Sequence, residues 1–232
     1  MEEASNQQEL FQYYNDRAPE YEAFYYGRVP TPRPEPDIYI KDRESIQSLI
    51  GSYIGGKCVD IACGTGFWLP YYYANCSGIT LIDQSENMMA ECRKKIELLG
   101  IGSKTSLVKS DVFNPALADG SFDSALTGFL ISHFDDGQLA DFMKQLKAFL
   151  KPGGRFVIID SNWGDVNKSM RLIKAGMNER ELFDGRKFSI YKRFFEKSDL
   201  QNLCHTYGIE LEIPYWGEVF FLAVGSFINT KA

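Results

Sequence analysis

The sequence predicts an α/β protein with a doubly wound, mainly parallel sheet of seven strands and an antiparallel hairpin at one edge. Between residues 58 and 159, apolar stretches of strand length alternate with stretches of helical period, which is typical of parallel strands joined by helices. Farther along, the apolar stretches Ile209–Ile213 and Val219–Phe227 are separated only by the short connection Pro214–Gly217. A connection this short joins antiparallel neighbours, so we expect a closing hairpin.

Residues 1–36 predict an N-terminal lid followed by a proline-rich connector. Aromatic residues follow helical spacing in the first part, and we expect the helix to be interrupted at Pro19, which lacks a backbone donor. The alternate prolines of Pro30–Pro36 favour an extended chain. Asp37 is the predicted N-cap of an amphipathic helix that ends before Gly55.

The central part of the chain predicts five strands and the helices between them. The predicted strands are Cys58–Ala62, Ile79–Ile82, Thr105–Val108, Phe122–Thr127 and Phe156–Ile159. The predicted helices run from a glycine turn to about Asn75, from Ser85 to Leu99, and from Asp135 or Asp136 to Leu150. A Ser or Asp at a helix start accepts a hydrogen bond from a free N–H of the first turn, which favours these starting points.

The C-terminal part interrupts this pattern before the closing hairpin. Residues 161–190 are polar with scattered apolar positions, which predicts an inserted helix or lid that contributes to substrate binding. Ser198 is the predicted cap of a helix over Asp199–Thr206, and Gly208 is expected to end it. We expect residues 1–232 to form a single domain.

Composition and charge exclude several classes of protein. Of 232 residues, 25 are Lys or Arg and 31 are Asp or Glu, so the net charge is −6, and we expect no nucleic-acid partner. No apolar run approaches the ~18 to 20 residues of a membrane span, and no signal peptide is visible, so we expect a soluble, cytoplasmic protein. The five cysteines form no C-x-x-C pair and there are only two histidines, so no metal site is predicted.

The most informative motif is the stretch Asp60-Ile-Ala-Cys-Gly-Thr-Gly66, where a buried strand enters a turn of small residues. Glycine in such a turn lets the backbone approach a ligand and adopt positive φ, and the first strand–helix crevice of these sheets binds nucleotide-like ligands. The third glycine of a dinucleotide site is absent, since Leu69 or Phe67 stands there. The carboxylate of Asp60 would also repel a pyrophosphate and suit a cation.

This motif resembles the first motif of the class I S-adenosylmethionine-dependent methyltransferases, which more often have glycine where Ala62 stands. The resemblance covers roughly Tyr13 to the C-terminus. Further stretches resemble the later family motifs in order: Leu81–Ser85, Ser110–Val112, Phe122–Thr127 and Leu150–Phe156. The resemblance implies a Rossmann-like methyltransferase fold, S-adenosylmethionine as the cofactor, and methyl transfer by in-line displacement.

The resemblance also implies which residues bind the cofactor. Asp83 would accept from the ribose hydroxyls and Asp111 from the adenine amino group, while the backbone of Val112 would donate to the ring. The implied set is Tyr14, Arg17, Asp60, Ala62, Gly64, Gly66, Phe67, Asp83, Gln84, Met88, Ser110, Asp111, Val112, Thr127 and Phe129. In the alternative reading, Asp83 caps a helix, Asp111 is a turn residue and the glycines only punctuate a turn.

Two further features bear on the acceptor. The stretch Tyr13–Tyr21 resembles a Y-x-x-R-A-x-x-Y lid helix, in which Arg17 would pair with the methionine carboxylate; the alternative is an aromatic helix that only packs on the domain. His133, just after the fourth central strand, is the candidate catalytic base, because a histidine accepts protons near neutral pH. The alternative for His133 is a surface position beside the next helix.

The acceptor class follows mainly from absent motifs. The stretch after the fourth central strand reads Thr127-Gly-Phe-Leu130 rather than the Asn/Asp-Pro-Pro-aromatic sequence that orients a planar nitrogen. We therefore expect a small-molecule acceptor, apolar or aromatic in keeping with the tyrosine-rich lid. Methylation at oxygen, nitrogen, carbon or sulfur stays open. The alternatives are a tRNA or protein methyltransferase and a non-catalytic S-adenosylmethionine-binding module.

Overall fold

The computed structural model describes residues 2–28, 36–115, 117–171 and 173–228, so the predicted connector lies outside the described residues except for Pro36, which begins a helix. The helices are α1 (Glu2–Arg17), α2 (Pro36–Ile50), α3 (Glu86–Leu99), α4 (Asp136–Phe149), α5 (Asp165–Met170) and α6 (Lys197–Tyr207). The strands are β1 (Gly56–Ile61), β2 (Cys76–Asp83), β3 (Thr105–Lys109), β4 (Phe122–Gly128), β5 (Leu150–Ser161), β6 (Ala175–Glu181), β7 (Lys187–Arg193), β8 (Ile209–Trp216) and β9 (Phe220–Phe227).

Seven strands form one sheet in the order β3-β2-β1-β4-β5-β9-β8. The first five are parallel to their neighbours, and β9 pairs antiparallel with both β5 and β8. This arrangement confirms the predicted fold class and its edge hairpin. The strand order reverses between β1 and β4, so a crevice opens at the carboxyl ends of these two strands, where ligands bind in open α/β sheets.

Both faces of the sheet are covered, which is why the central strands are apolar on both sides. On one face, Cys58 of β1 packs in a cluster with Cys92 and Ile96 of α3. On the other face, the neighbouring Val59 packs with Phe142 of α4. No helix among the described residues is long and apolar enough to cross a membrane.

Several helix ends agree with the sequence, but the predicted N-cap at Asp37 is wrong, because α2 begins at Pro36 and Asp37 lies in its first turn. The Ser85 hydroxyl accepts from the Met88 N–H at the start of α3, and Asp135 forms a reciprocal capping box with Gln138 before α4. Gly208 ends α6 in the left-handed conformation, as predicted. The predicted cap at Ser198 is wrong, because α6 begins at Lys197, two residues before the predicted start, and Glu196 is the N-cap, whose N–H donates to the Asp199 carboxylate at 2.6 Å.

The helix predicted from the glycine turn to about Asn75 is also wrong. The segment contains two 3₁₀ turns, Leu69–Tyr71 and Tyr73–Asn75, held by hydrogen bonds between residues three apart. Pro70 provides no N–H for a continuous helix. The chain therefore descends from the glycine turn to β2 in tight turns.

The inserted segment folds differently from the predicted helix. It contains the short helix α5 and a separate two-stranded antiparallel sheet of β6 and β7. Strand β7 packs against α1, and Tyr13 of α1 contacts Phe188 of β7 with ring centroids 5.5 Å apart. The hairpin and the N-terminal segment therefore meet above the carboxyl edge of the main sheet.

Candidate active site

Two adjoining cavities lie above the carboxyl edge of the sheet. The first, of about 230 Å³, lies over the ends of β1, β2 and β4 and under α1. The second, of about 470 Å³, lies between the N-terminal segment and the β6–β7 hairpin. Four side chains line both cavities and form what we call the partition: Tyr14, Tyr21, Phe129 and His133. The two cavities therefore adjoin at these four residues.

The floor of the first cavity is held by Asp83 at the end of β2. Its carboxylate accepts from the Gly64 N–H at 2.8 Å and from the Ser85 N–H at 2.8 Å. Burial raises the pKa of Asp83 above its usual 3.8, against these hydrogen bonds, which lower it. Each carboxylate oxygen has a further acceptor site, so Asp83 can bind both the glycine turn and a ligand hydroxyl.

Left-handed backbone surrounds this floor. Gly64 has φ of 54°, and the two non-glycine residues with positive φ in the described part of the chain are Ala62 at 58° and Phe129 at 57°, both of which line the first cavity. The φ of Ala62 gives a physical reason for the glycine that resembling sequences carry there. Gly66 has another role, because a Cβ at this position would lie 2.8 Å from Cys92 Sγ on α3.

Asp60 lies behind the floor and lines neither cavity. Its carboxylate is buried and accepts from the Tyr72 hydroxyl at 2.8 Å. Burial raises the pKa of Asp60 to about 7. This carboxylate thus fastens the end of β1 to the following 3₁₀ turn, which differs from the predicted direct contact with the cofactor.

The structure brings most of the predicted cofactor residues together. The first cavity is lined by Tyr14, Ala62, Gly64, Asp83, Gln84, Met88, Asp111, Val112 and Phe129. It is not lined by Arg17, Asp60, Gly66, Phe67, Ser110 or Thr127. Phe67 instead stacks on Tyr25 with ring centroids 4.0 Å apart, and Arg17 lines the second cavity. A cofactor-binding role for each residue remains a prediction.

Several lining residues were not found from the sequence. Gln138 of α4 and the side chains Asn6, Gln7, Leu10 and Phe11 of α1 also face the first cavity. The helical spacing of Leu10, Phe11 and Tyr14 was the only available signal, and it equally fits packing against a core. Their position depends on where α1 lies on the domain.

His133 is buried in the partition and has both ring nitrogens engaged. Its Nδ1 lies 2.7 Å from the Tyr191 carbonyl oxygen, which can only accept, so Nδ1 carries the proton. Its Nε2 lies 2.7 Å from the Tyr14 hydroxyl and therefore accepts from it. Burial lowers the pKa of His133 well below 6.5 and raises that of Tyr14 well above 10, so both are neutral at neutral pH.

Polar contacts hold the N-terminal segment over the first cavity. Asn15 Oδ1 accepts from the Ser85 hydroxyl at 2.9 Å, and its backbone carbonyl accepts from Asn87 Nδ2 at 2.9 Å. Glu22 accepts from the Thr65 hydroxyl of the glycine turn at 2.7 Å. The segment is therefore bonded to the same turns that form the cavity floor.

The second cavity is lined by cations that the sequence analysis did not single out. Arg171, Arg180 and Lys192, all from the inserted segment or the strand after it, join Arg17 there. Lys192 Nζ lies 3.2 Å from the buried carboxylate of Asp160, and burial lowers the pKa of Lys192 to about 8. No sequence motif marks these residues, because each comes from a segment without recognisable periodicity.

Known proteins resemble this chain in sequence. Residues 58–154 match a family model described as a methyltransferase domain. The demethylmenaquinone methyltransferases of Staphylococcus aureus strains MRSA252 and JH9 are 30% identical over 123 residues, which is 52% of this chain and 49% of theirs. The chain thus spans about half the length of the curated relatives it matches.

Solved structures resemble it over most of its length. A structure titled DhpI-SAM-HEP complex has a TM-score of 0.76 and 21% identity, covering 95% of this chain and 97% of that one. The PH0226 protein of Pyrococcus horikoshii OT3 has a TM-score of 0.65 and 20% identity, covering 90% and 99%. These likenesses concern the fold. The matched segment, the sheet order and the glycine turn are thus similar to those of the class I S-adenosylmethionine-dependent methyltransferases.

Proposed function

We propose that this protein transfers the methyl group of S-adenosylmethionine to a small-molecule acceptor. The observation that carries the proposal is the pair of cavities that adjoin at the partition residues. Residues of the first three strand-end motifs line the first cavity, and none of these residues lines the second. A methyl donor bound in the first cavity and an acceptor bound in the second would approach each other beside the four partition residues.

The residues of the first cavity fit this cofactor. Asp83 keeps acceptor capacity for ribose hydroxyls, and the apolar side chains of Met88 and Val112 suit a planar ring. Asp111, whose carboxylate accepts from the Phe113 N–H at 2.9 Å, is exposed and near the ring position that the motifs imply. S-adenosylmethionine would supply a methyl group on a positively charged sulfur. The acceptor would take this methyl group in line, with S-adenosylhomocysteine as the leaving group.

The contribution of the chain would be alignment and exclusion of water. Fixing two reactants in a reactive geometry can remove about 7–11 kcal/mol of barrier, so an activated methyl donor needs little further help. The partition residues Tyr14 and His133 are hydrogen-bonded to each other and neutral, which suits a fixed wall that orients an acceptor. We propose that His133 positions Tyr14, and that direct proton removal by His133 is weak because its pKa is low.

The enclosure of the second cavity supports a small acceptor. It is bounded by Tyr13 and Tyr14 of α1 and by Lys192 of β7, so a ligand there is covered from two sides. The Staphylococcus aureus relatives are named for demethylmenaquinone, an acceptor that is neither a nucleic acid nor a protein. We infer an acceptor that enters the cavity whole.

The proposal is tested by calorimetric titration with S-adenosylhomocysteine and, separately, NAD. We expect micromolar binding of S-adenosylhomocysteine and none of comparable strength for NAD. Asp83→Asn should weaken binding by about 10- to 100-fold, since hydrogen bonds to a charged group contribute about 1.5–3 kcal/mol. The exposed Asp119→Asn is the matched control and should bind normally. Tight NAD binding without S-adenosylhomocysteine binding would refute the proposal, and normal binding by Asp83→Asn would make Asp83 a structural residue only.

A further inference from the structure

The second cavity contains an unusual concentration of positive charge for a protein of net charge −6. Its lining includes the cations Arg17, Arg28, Arg171, Arg180 and Lys192 and the carboxylates Glu20, Glu179 and Glu181. Buried guanidinium groups normally pair with carboxylates, because an uncompensated buried charge is strongly destabilising. Whether these cations are paired therefore decides what the cavity can bind.

The carboxylates of this lining are directed to other groups. Glu20 accepts from the Phe183 N–H at 3.0 Å. Glu179 pairs with Lys187 at 2.9 Å, and Glu181 also lies close enough to Lys187 to raise the pKa of that lysine further. These three acids thus do not neutralise the arginines.

Among the residues that the structure describes, four guanidinium groups of this lining have no carboxylate partner: the exposed Arg28 and the less exposed Arg17, Arg171 and Arg180. Arg17 donates to the Tyr13 hydroxyl, and Arg180 donates to the Glu179 carbonyl at 3.2 Å. The Nε atom of Arg171 is buried and has no hydrogen-bond partner within the described ranges. Since each guanidinium has five N–H donors, most donors of Arg17, Arg171 and Arg180 have no acceptor within the described part of the chain.

Arg180 lies close enough to Arg171 and to Arg17 for like charges to repel. Burial, together with the charge of Arg180, lowers the pKa of Arg171 to about 10. Burial likewise lowers the pKa of Arg180, to which Arg17 adds repulsion. A ligand that carries negative charge would relieve this repulsion and occupy the free donors, since guanidinium groups bind oxyanions in a fork-like geometry.

We propose that the methyl acceptor is a small organic oxyanion, and that Arg171 and Arg180, together with Arg17, bind its carboxylate, phosphate or phosphonate group. This inference rests on the proposed function, because it assigns the second cavity to the acceptor. It replaces the apolar or aromatic acceptor expected from the tyrosine-rich lid. The aromatic residues Phe24, Tyr39 and Phe194, which also line the cavity, would cover the carbon skeleton of such an anion.

The test measures the binding of matched probes to the protein saturated with S-adenosylhomocysteine, by calorimetry and by the shift in melting temperature. The probes are butylphosphonate, butyl phosphate and pentanoate, with neutral pentanol and dimethyl butylphosphonate for comparison. The variants are Arg171→Gln and Arg180→Gln, and Arg155→Gln, exposed at the start of the parallel part of β5, is the matched control. Affinity for S-adenosylhomocysteine is measured in every variant.

We expect at least one anionic probe to bind and to raise the melting temperature, with the neutral probes much weaker. Arg171→Gln and Arg180→Gln should each weaken the anion by about 10- to 100-fold and leave S-adenosylhomocysteine affinity unchanged, because the lost bonds are charge-assisted. Arg155→Gln should match the wild type. The strongest probe among the three anions identifies the oxyanion that the cavity prefers.

The inference is overturned if no anionic probe binds at 10 mM (about the weakest useful affinity), if the neutral probes bind as well, or if Arg155→Gln loses as much as the cavity variants. These outcomes with intact S-adenosylhomocysteine binding would leave the proposed function standing. If the wild-type protein does not bind S-adenosylhomocysteine, the proposed function itself is refuted. The two failures are therefore distinguishable in one series of titrations.

Discussion

The two cavities of this protein are built from different kinds of residues. The first is formed by turns directly after β1, β2 and β4, where backbone geometry and short side chains such as Ala62, Gly64 and Asp83 shape the floor. The second is formed by long side chains, including Arg171 and Arg180, from segments outside the alternating core. A site made of backbone leaves a motif in the sequence, whereas a site made of long side chains on separate segments leaves none.

This difference has a functional counterpart. The turns at the carboxyl edge are tied to the sheet by hydrogen bonds such as that from the Gly64 N–H to Asp83, so their geometry follows from the fold. The hairpin of β6 and β7 is a separate sheet, so its side chains can vary without disturbing the main one. We infer that the first cavity defines the shared chemistry and the second defines the acceptor.

The largest effect that tests this comparison is expected at Asp60, behind the first cavity. Burial raises its pKa to about 7 in the folded protein, from 3.8 in its ordinary state. Below about pH 4 the Asp60 carboxyl is protonated in both the folded and the unfolded protein. Between about pH 4 and pH 7 only the unfolded protein loses this proton, so the free energy of unfolding falls as the pH rises. Asp60→Asn removes the titration and keeps an acceptor for Tyr72. Its free energy of unfolding relative to wild type should rise by about 2–4 kcal/mol between pH 4 and pH 7.

Urea unfolding of both proteins at pH 4, 5, 6 and 7 measures this difference. His133 titrates in both proteins, so its contribution cancels in the comparison. S-adenosylhomocysteine affinity should change little, since Asp60 lines neither cavity. A difference that is constant with pH would contradict the raised pKa of Asp60, and a large loss of affinity would place its carboxylate at the ligand.

An intermediate effect is expected at the partition, with Tyr14→Phe. The ring contacts with Tyr13, Tyr21 and His133 are kept, but the hydroxyl that donates to His133 Nε2 is lost. A buried acceptor without its donor costs about 1–2 kcal/mol, which should appear in the free energy of unfolding. S-adenosylhomocysteine affinity should stay within about threefold, because the hydroxyl bonds to the partition and not to the cavity floor.

The exposed Tyr26→Phe is the control for this substitution, and its stability should stay within about 0.5 kcal/mol of wild type. If Tyr14→Phe weakens S-adenosylhomocysteine more than tenfold, Tyr14 acts mainly on the cofactor side, as the sequence analysis grouped it. Calorimetry and urea unfolding on the same preparations separate these outcomes.

The smallest effect is expected for Ala62→Gly on the cavity floor. Ala62 has φ of 58°, which costs an L-residue about 1–2 kcal/mol, and glycine removes this strain while making the unfolded chain more flexible by about 0.4–1 kcal/mol. We expect stabilisation by about 0–1 kcal/mol. Ala90→Gly in the middle of α3 is the control and should destabilise by about 1 kcal/mol. Equal losses in the two variants would show that the φ of Ala62 carries no strain.

The agreement between sequence and structure is uneven for physical reasons. Hydrophobic period and local capping predicted α3, α4 and the succession of central strands along the chain, because these signals depend on neighbours within a few residues. The helix predicted after the glycine turn does not form, because Pro70 and the tight turns around it override the apolar pattern. The predicted cap of α6 lies two residues too late, at Ser198 instead of Glu196, because both side chains carry an acceptor next to the first turn.

The sequence by itself determined the alternating sheet, the glycine turn at the end of β1 and the acid at the end of β2, because each depends on local periodicity or on backbone conformation. Only the tertiary structure decided that Asp60 lies behind the cavity while Asp83 lies on it. It alone brought Tyr14 to His133, which is 119 residues away, and gathered Arg17 with Arg180. Such contacts depend on how distant segments pack, and no stretch of neighbouring residues encodes that packing.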